Sequence, residues 1–252
     1  MNPAELKEFL DFKADEYNSP SFIATDPIQI PHEYHRKEDI EIIGFIVATI
    51  AWGNRTMIIR NGRKLMQIMG ESPHDFVMQA TSDQIDKTDF IHRTFNSEDL
   101  KNFLKAMKVL YIEKDGLESL FVESIGLNMK DRIIHFNHEF TQLFESQRTS
   151  KHVANPLKGS AAKRINMYLR WMCRKDNKGV DFGIWNAIDP SELHLPLDVH
   201  SGNIARKLGL LNRKQNDWKA VEELQEEVLR MDRKDPCKYD FALFGLGAFE
   251  NF

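Results

Sequence analysis

Residues 40–52 read IEIIGFIVATIAW, a run that is apolar on nearly every side of a helix and has Glu41 as its one charged residue. A helix without a polar face is expected at the centre of a bundle rather than at its surface. The run is also too short to span a bilayer, which takes about 20 apolar residues. We therefore predict a buried helix that ends at the polar turn formed by Gly53, Asn54 and Arg55.

Helical periodicity continues through the rest of the chain, with apolar residues recurring at i, i+3, i+4 and i+7 between capping residues. The predicted helices cover residues 56–69, 98–115, 117–125, 130–146, 163–174, 202–211 and 218–231. Phe182, Ile184 and Trp185 predict one more packed helix within residues 174–193. We find no series of alternating strands, so the predicted fold class is all-α.

The composition excludes several classes of protein. A chain of 252 residues, 42% of them hydrophobic, can bury a core and is not expected to be disordered. Its two cysteines, Cys173 and Cys237, are too few for a disulfide scaffold or a four-cysteine iron–sulfur cluster. The first 18 residues are charged and amphipathic, unlike a secretory signal. We expect a cytoplasmic protein that does not bind a membrane.

The charge is distributed unevenly. The chain has a net charge of −4, but residues 151–178 contain eight basic residues and one acidic residue, a local charge of +7. A basic patch on an acidic body can direct a polyanion to one face of a protein. The charge pattern therefore favours a nucleic-acid partner for this segment, although a solvated charged loop would give the same count.

Residues 159–169 read GSAAKRINMYL, a run of small residues followed by a basic helix. At about 100° per residue, the polar residues of the helix share one face: Lys163, Asn166, Arg170 and Arg174. This pattern predicts a helix with a basic surface and an apolar side toward the core. The amine of Lys163 is a candidate nucleophile, and the backbone amides at the helix start are suited to phosphate.

Residues 195–200 read LPLDVH. Pro196 disfavours helix at Leu195, so Asp198 is predicted to be the N-cap of the helix that follows. A capping carboxylate accepts backbone N–H groups at the positive end of the helix dipole and is expected to be ionised. Such a group can stabilise a cation that develops beside it. A lysine and an aspartate at two helix N-termini are the groups needed for attack on a sugar carbon.

Together these stretches resemble the helix-hairpin-helix DNA N-glycosylases, the superfamily that includes endonuclease III and the oxoguanine glycosylases. In that family a tight hairpin precedes a lysine, as in residues 159–166, and an aspartate turn opens a helix with a Leu-Gly-Leu ending, as in residues 198–210. Residues 40–55 resemble the family's early buried helix and its DNA-contacting turn. The chain also resembles a bacterial group of uncharacterised proteins that share the stretches at residues 51–55 and 195–198.

The resemblance implies a fold of two helical lobes around a cleft. One lobe would comprise residues 37–178, ending in the hairpin and lysine helix. The other would comprise residues 1–36 with 179–252 and carry the aspartate turn. The implied fold is therefore all-α and helix-hairpin-helix glycosylase-like.

The implied function is a DNA N-glycosylase with AP-lyase activity that removes a damaged base, such as an oxidised purine, from double-stranded DNA. Lys163 would form the Schiff base, and Asp198 would be the catalytic carboxylate. Asn54 and Arg55 would fill the gap left by the flipped nucleotide. The other expected DNA contacts lie in the hairpin and the basic helix: Lys158, Gly159, Ser160, Arg164, Arg170 and Lys175. We expect a monomer without a cofactor.

Two other functions are compatible with the same sequence. One polar face of the predicted helix 130–146 carries residue types that hold metals in hydrolases: Asp131, His135, His138 and Glu139. We favour a solvated helix face and expect no metal, because a metal site in a bundle takes ligands from several helices and no second set is found. The other alternative is a non-catalytic DNA-binding protein of the same fold, in which Lys163 only contacts phosphate.

Overall fold

The computed structural model describes residues 1–250 and 252, and their secondary structure is helical. This part of the chain contains thirteen α-helices: α1 Pro3–Tyr17, α2 Pro20–Ile23, α3 Lys37–Ile50, α4 Arg55–Met69, α5 Pro73–Gln79, α6 Ser82–Asp86, α7 Ser97–Glu113, α8 Leu117–Val122, α9 Met129–Gln142, α10 Lys163–Cys173, α11 Val199–Lys207, α12 Trp218–Met231 and α13 Tyr239–Ala248. Short 3₁₀ helices lie at Pro27–Gln29, Pro31–Glu33, Gln147–His152, Pro156–Lys158, Pro190–Glu192 and Pro236–Lys238. The described residues form isolated β-bridges but no β-strand, so the predicted all-α class is confirmed.

The chain forms two compact units, residues 25–153 and residues 1–24 with 154–252. These boundaries differ from the predicted ones, which assigned residues 37–178 to one lobe. The lysine helix α10 belongs to the second unit, because Arg170 of α10 forms an ion pair with Asp240 of α13. Residues 25–36 belong to the first unit, where Ile30 packs so closely on Gly62 of α4 that an added Cβ would lie 2.7 Å from Ile30 Cγ1.

Helix α3 lies in the core of the unit 25–153. Every residue from 39 to 50 is buried. The ring of Phe45 lies 5.2–5.6 Å from three other buried phenylalanine rings, on α7 and α9. The predicted buried helix is therefore confirmed. None of the described helices, α3 included, has the length and apolar character needed to cross a membrane.

In the unit of residues 1–24 and 154–252, α13 packs against both α1 and α11. Gly245 of α13 permits the closest approach, because an added Cβ would lie 2.1 Å from the ring of Tyr17. Tyr17 also stacks on Phe249, with ring centroids 5.6 Å apart. Helix α10 is buried from Ile165 to its last residue, Cys173. The fold therefore positions the starts of α10 and α11 within one unit.

The prediction of an extra α-helix within residues 174–193 is wrong. The segment has a single 3₁₀ turn, Pro190–Glu192, and otherwise runs without regular structure. The amides of Phe182 and Trp185 donate to the carbonyls of Trp171 and Met172, at 2.8 and 2.9 Å. These bonds satisfy carbonyl groups in the last turn of α10, and Trp185 is buried without forming part of a helix.

Candidate active site

The hairpin before Lys163 is built from two left-handed residues. Asn155 Oδ1 accepts the amide of Leu157 at 2.9 Å and starts the turn. Gly159 then has φ +78°, and Ala162 has φ +47°. A left-handed conformation is unusual for a residue with a Cβ. Between them, Ser160 Oγ accepts the amide of Ala162 at 3.1 Å. These two left-handed residues turn the chain into α10, whose first residue is Lys163.

Lys163 is half-buried at the start of α10. Its Nζ lies 3.6 Å from Sδ of Met167, one turn further along the helix. Met167 is itself buried. The lysine stem therefore lies along its own helix, and the amine stands beside an apolar, polarisable group.

Asp198 is the N-cap of α11, as predicted from its position after Pro196. Its Oδ1 accepts the amide of Ser201 at 2.9 Å. Its backbone carbonyl accepts a hydrogen bond from Nδ2 of Asn216, also at 2.9 Å. The carboxylate and the backbone of Asp198 are thus both held in place.

The loop of residues 212–217 links the hairpin to the aspartate turn. Asp217 forms an antiparallel bridge with Ser160 of the hairpin. Asn216 bonds Asp198 and accepts from Arg206 Nη2 at 2.6 Å. Gly202 permits this arrangement, because an added Cβ would lie 2.8 Å from Asn216 Oδ1. Two segments that are 35 residues apart in sequence, at Lys163 and Asp198, are therefore tied to one loop.

Asp240 on α13 lies within electrostatic reach of both predicted catalytic groups. Burial raises the pKa of the Asp240 carboxyl to about 6. The charges of Arg170 and Lys163 act to lower this pKa, and the charge of Asp198 acts to raise it. Because such effects come from nearby charges, Lys163 and Asp198 lie close enough to Asp240 for both charges to act on its carboxyl.

Sequence reasoning did not identify Asp240. One signal was available, since Asp240 stands in the otherwise apolar run YDFALF at residues 239–244. A charged residue in a buried apolar helix is expected to have a specific partner. Its partner, Arg170, lies 70 residues earlier, and periodicity alone could not have supplied that pairing.

Arg170 does not belong to a DNA-contacting surface. Its side chain is only 4% exposed. Nε donates to Asp181 Oδ1 at 3.1 Å, and Nη1 donates to Asp240. The guanidinium also lies 4.3 Å from the ring centroid of Phe241. The predicted phosphate contact is therefore wrong, because two carboxylates and an aromatic ring surround this cation.

Arg174, also on the predicted basic face of α10, is internal as well. Its Nη1 donates to Asp181 Oδ2 at 3.0 Å, and its Nη2 donates to Asp235 Oδ2 at 2.8 Å. Asn166, on the same face, is buried as well. Two of the eight basic residues that give the local charge of +7 are therefore internal. Acidic residues that follow in the sequence neutralise part of it inside the fold.

The remaining predicted DNA contacts of this unit are more accessible. Lys158, Gly159 and Lys175 are exposed. Ser160 and Arg164 are half-buried. Burial lowers the pKa of the Arg164 guanidinium to about 10, so this group still carries its charge at neutral pH. The hairpin thus keeps part of the predicted cationic surface.

Asn54 and Arg55 lie in the other unit, at the start of α4. Asn54 is exposed and is the N-cap of α4, with Oδ1 accepting the amide of Met57 at 3.1 Å. Arg55 is the first residue of the helix and is half-buried. Their expected role in filling the gap of a flipped nucleotide remains a prediction.

The polar face of α9 does not form a metal-binding cluster. Within the described residues, no three His, Cys, Asp or Glu side chains are arranged to hold a metal ion. Glu139 lies 3.6 Å from Lys114 and 3.0 Å from His138, and His135 lies 3.8 Å from Glu123. Asp131 accepts a hydrogen bond from its own helix cap, Asn128. These contacts fit a solvated helix face.

The chain matches one family model over residues 26–249, described as a protein of unknown function (DUF2400). The chain belongs to the DUF2400 family. The match extends over parts of both structural units and contains Lys163, Asp198 and Asp240. No curated protein and no solved structure matches the chain. The function therefore has to be inferred from the residues of the site.

Proposed function

We propose that the chain is a DNA N-glycosylase with AP-lyase activity, which removes a damaged base, such as an oxidised purine, through a Schiff base on Lys163. One observation carries the proposal: an amine and a carboxylate, each at the N-terminus of its own helix, are tied to one loop, through the bridge between Ser160 and Asp217 and the hydrogen bond from Asn216 to Asp198. The resemblance of the hairpin and the aspartate turn to helix-hairpin-helix glycosylases supports the same assignment.

The amine and the carboxylate have complementary roles in the proposed reaction. The neutral amine of Lys163 forms a bond to C1′ of the sugar while the bond from C1′ to the base breaks. The base leaves with the electron pair of that bond and takes up a proton, and the attacking nitrogen gives one up. Opening of the sugar ring then yields the imine, from which the strand can be cleaved.

Asp198 stabilises the positive charge that develops on the sugar as the base leaves. A fixed carboxylate is suited to this role, because it needs no reorganisation during the reaction. The bonds from Ser201 and Asn216 hold Asp198 in this way. The damaged base would be flipped out of the duplex, which costs least when its pairing is already weakened.

The proposal is tested by trapping the imine with borohydride on duplex DNA that carries an oxidised purine. The wild-type chain should form a covalent adduct, and Lys163→Gln should form none. Lys158→Gln is the matched control, because it removes one lysine from the same hairpin without touching the proposed nucleophile. An adduct at the wild-type level with Lys163→Gln would show that another residue is the nucleophile.

Asp198→Asn tests the role of the carboxylate separately from the fold. Asparagine is as good an N-cap as aspartate, so α11 should be retained and lesion binding should be nearly unchanged. Base release should slow by at least about tenfold, because one charge that stabilises the transition state is lost. Unchanged base release would contradict this role. Lesion binding without any adduct in the wild-type chain would instead indicate a non-catalytic DNA-binding protein.

A further inference from the structure

The helix α4 borders an open groove of about 860 Å³ in the unit 25–153. The side chains that line it come from α4 and from the segment at Ile91: Thr56, Ile59, Arg60, Asn61, Arg63, Lys64, Gln67 and Ile91. Three of these residues are cationic and none is acidic. The groove is therefore a concave surface of one charge sign, and its residues belong to a different unit from Lys163 and Asp198.

The positive charge of this groove is not neutralised by the fold. Helix α4 contains four basic residues and no acidic residue. Arg60, Arg63 and Lys64 are exposed, and none of them forms an ion pair with a described residue. Arg63 donates only to the neutral Oε1 of Gln29, at 3.1 Å. This differs from Arg170 of α10 and Arg174 at its C-terminus, which are paired with aspartates.

Contacts on the buried side of α4 fix the shape of the groove. Asn61 is buried beneath it and its Nδ2 lies 2.7 Å from Nδ1 of His92. Nε2 of His92 lies 3.3 Å from the carbonyl of Trp52. The next residue, Gly62, permits the close packing of Ile30 on α4. Since α4 is fixed on its inner side, its cations are presented by a rigid element rather than by a loop.

We propose that this groove binds the sugar–phosphate backbone of duplex DNA. Arginine, lysine, threonine, asparagine and glutamine are the side chains that contact phosphate and sugar in protein–DNA complexes, and all five types line the groove. Arg60 and Lys64 are separated by about 6 Å along the helix axis, so the cations can contact neighbouring phosphates of one strand. Ile59 and Ile91 provide apolar contacts for the sugars.

The proposal rests on DNA as the substrate of the proposed function, and it adds a second binding surface that acts without base specificity. Phosphate contacts position the protein on the duplex and carry no sequence information directly. The groove should therefore bind undamaged and damaged duplexes equally. Its contribution should appear in the dependence of affinity on salt.

The test compares two triple variants of the full chain in binding to an undamaged duplex, by fluorescence anisotropy between 50 and 200 mM salt. The groove variant is Arg60→Gln/Arg63→Gln/Lys64→Gln. The matched control, Lys87→Gln/Lys101→Gln/Lys108→Gln, removes the same charge from the same unit outside the groove. Each phosphate contact contributes about −0.9 to the slope of log K against log salt. The slope of the groove variant should therefore be shallower than that of the wild type by about 2–3. This variant should also bind at least about tenfold more weakly at 100 mM salt. The control should keep the wild-type slope.

A wild-type slope and affinity in the groove variant would overturn the inference, and so would an equal loss in both triple variants. An RNA single strand that depends on the groove while duplex DNA does not would overturn the assignment of DNA. Each of these results is independent of borohydride trapping, which reports Lys163 chemistry. A groove variant that binds weakly but still forms the adduct at saturating DNA would support both proposals.

Discussion

The two units surround their central helices in different ways. Around α3, in residues 25–153, the neighbours are aromatic and aliphatic, with Phe45 packed among three other phenylalanine rings. Around α10, in the other unit, the neighbours include buried aspartates that pair with Arg170 and Arg174. Both helices are internal, but one is buried by apolar packing and the other partly by charge neutralisation.

This difference shows that an amphipathic pattern does not identify a surface helix by itself. The polar face of α10 has the spacing of a solvated stripe, yet Arg170 and Arg174 are among the buried residues. Taking charges out of water is costly unless each is paired and hydrogen-bonded. Asp181 meets this requirement for both arginines. The aspartates on α13 and its neighbouring loops thus decide whether the basic face of α10 is buried or exposed.

The largest effect is expected from Asp181→Ala. This change leaves two buried arginines with one shared counterion fewer, which should lower the free energy of unfolding by about 3–5 kcal/mol. The control is Asp15→Ala, which removes an exposed ion pair with Lys178 and should cost less than about 1 kcal/mol. Urea denaturation measures both. If both variants lost similarly small amounts of unfolding free energy, charge neutralisation would not distinguish the core around α10 from the core around α3.

Two conservative substitutions, one in each unit, compare the two cores through smaller losses of stability. Arg170→Lys keeps the charge, but a lysine lacks the planar guanidinium that donates to Asp181 and Asp240 at once. One of the two buried carboxylates therefore loses its donor, at a cost of about 1–3 kcal/mol. Ile46→Val on α3 removes one buried methyl group and should cost about 0.5–1.5 kcal/mol. Thermal and urea unfolding should rank Arg170→Lys as the more damaging change. The reverse ranking would indicate that packing rather than charge geometry dominates around α10.

The last contrast is a pH dependence of stability that differs between the two units. Burial raises the pKa of Asp240 from 3.8 to about 6. A folded protein with such a group binds the proton more tightly than the unfolded chain does, so Asp240 adds stability as the pH falls from about 6 to 3.8. The stability of the wild type relative to Asp240→Asn should therefore increase over that range, as measured by urea denaturation at each pH.

Asp99, in the unit 25–153, should respond in the opposite direction. Burial acts to raise its pKa, but hydrogen bonds from the Asn96 backbone and the Arg148 side chain contribute to holding that pKa below its usual 3.8. The stability that Asp99 provides is therefore present above pH 3.8 and is lost as the pH falls through the lowered value. The wild type should therefore be more stable than Asp99→Asn above pH 3.8, and this difference in stability should disappear in acid. Parallel pH profiles for the two aspartates would contradict this contrast.

Local sequence patterns determined much of the fold. The unbroken apolar run of α3 predicted burial, because no polar face was available to solvent. Helix α12 has the predicted bounds, Trp218–Met231, because its periodicity and the cap at Asp217 are both local signals. Asp198 was identified as an N-cap for the same reason. Helices α1 and α13 were not predicted, since α1 has a weak apolar face and α13 is apolar on most sides with few terminal signals.

Only the tertiary structure decided which polar residues are internal and which of them meet. Asp240 stands near Lys163 and Asp198 because α10, α11 and α13 pack in one unit. Arg170 is buried because carboxylates 11 and 70 residues further along the chain reach it. Arg60, Arg63 and Lys64 of α4 stay exposed, and no acidic side chain of the described residues pairs with them. The sequence alone could place each charge on a helix face, but pairing depends on distances between segments far apart in sequence, which only folding sets.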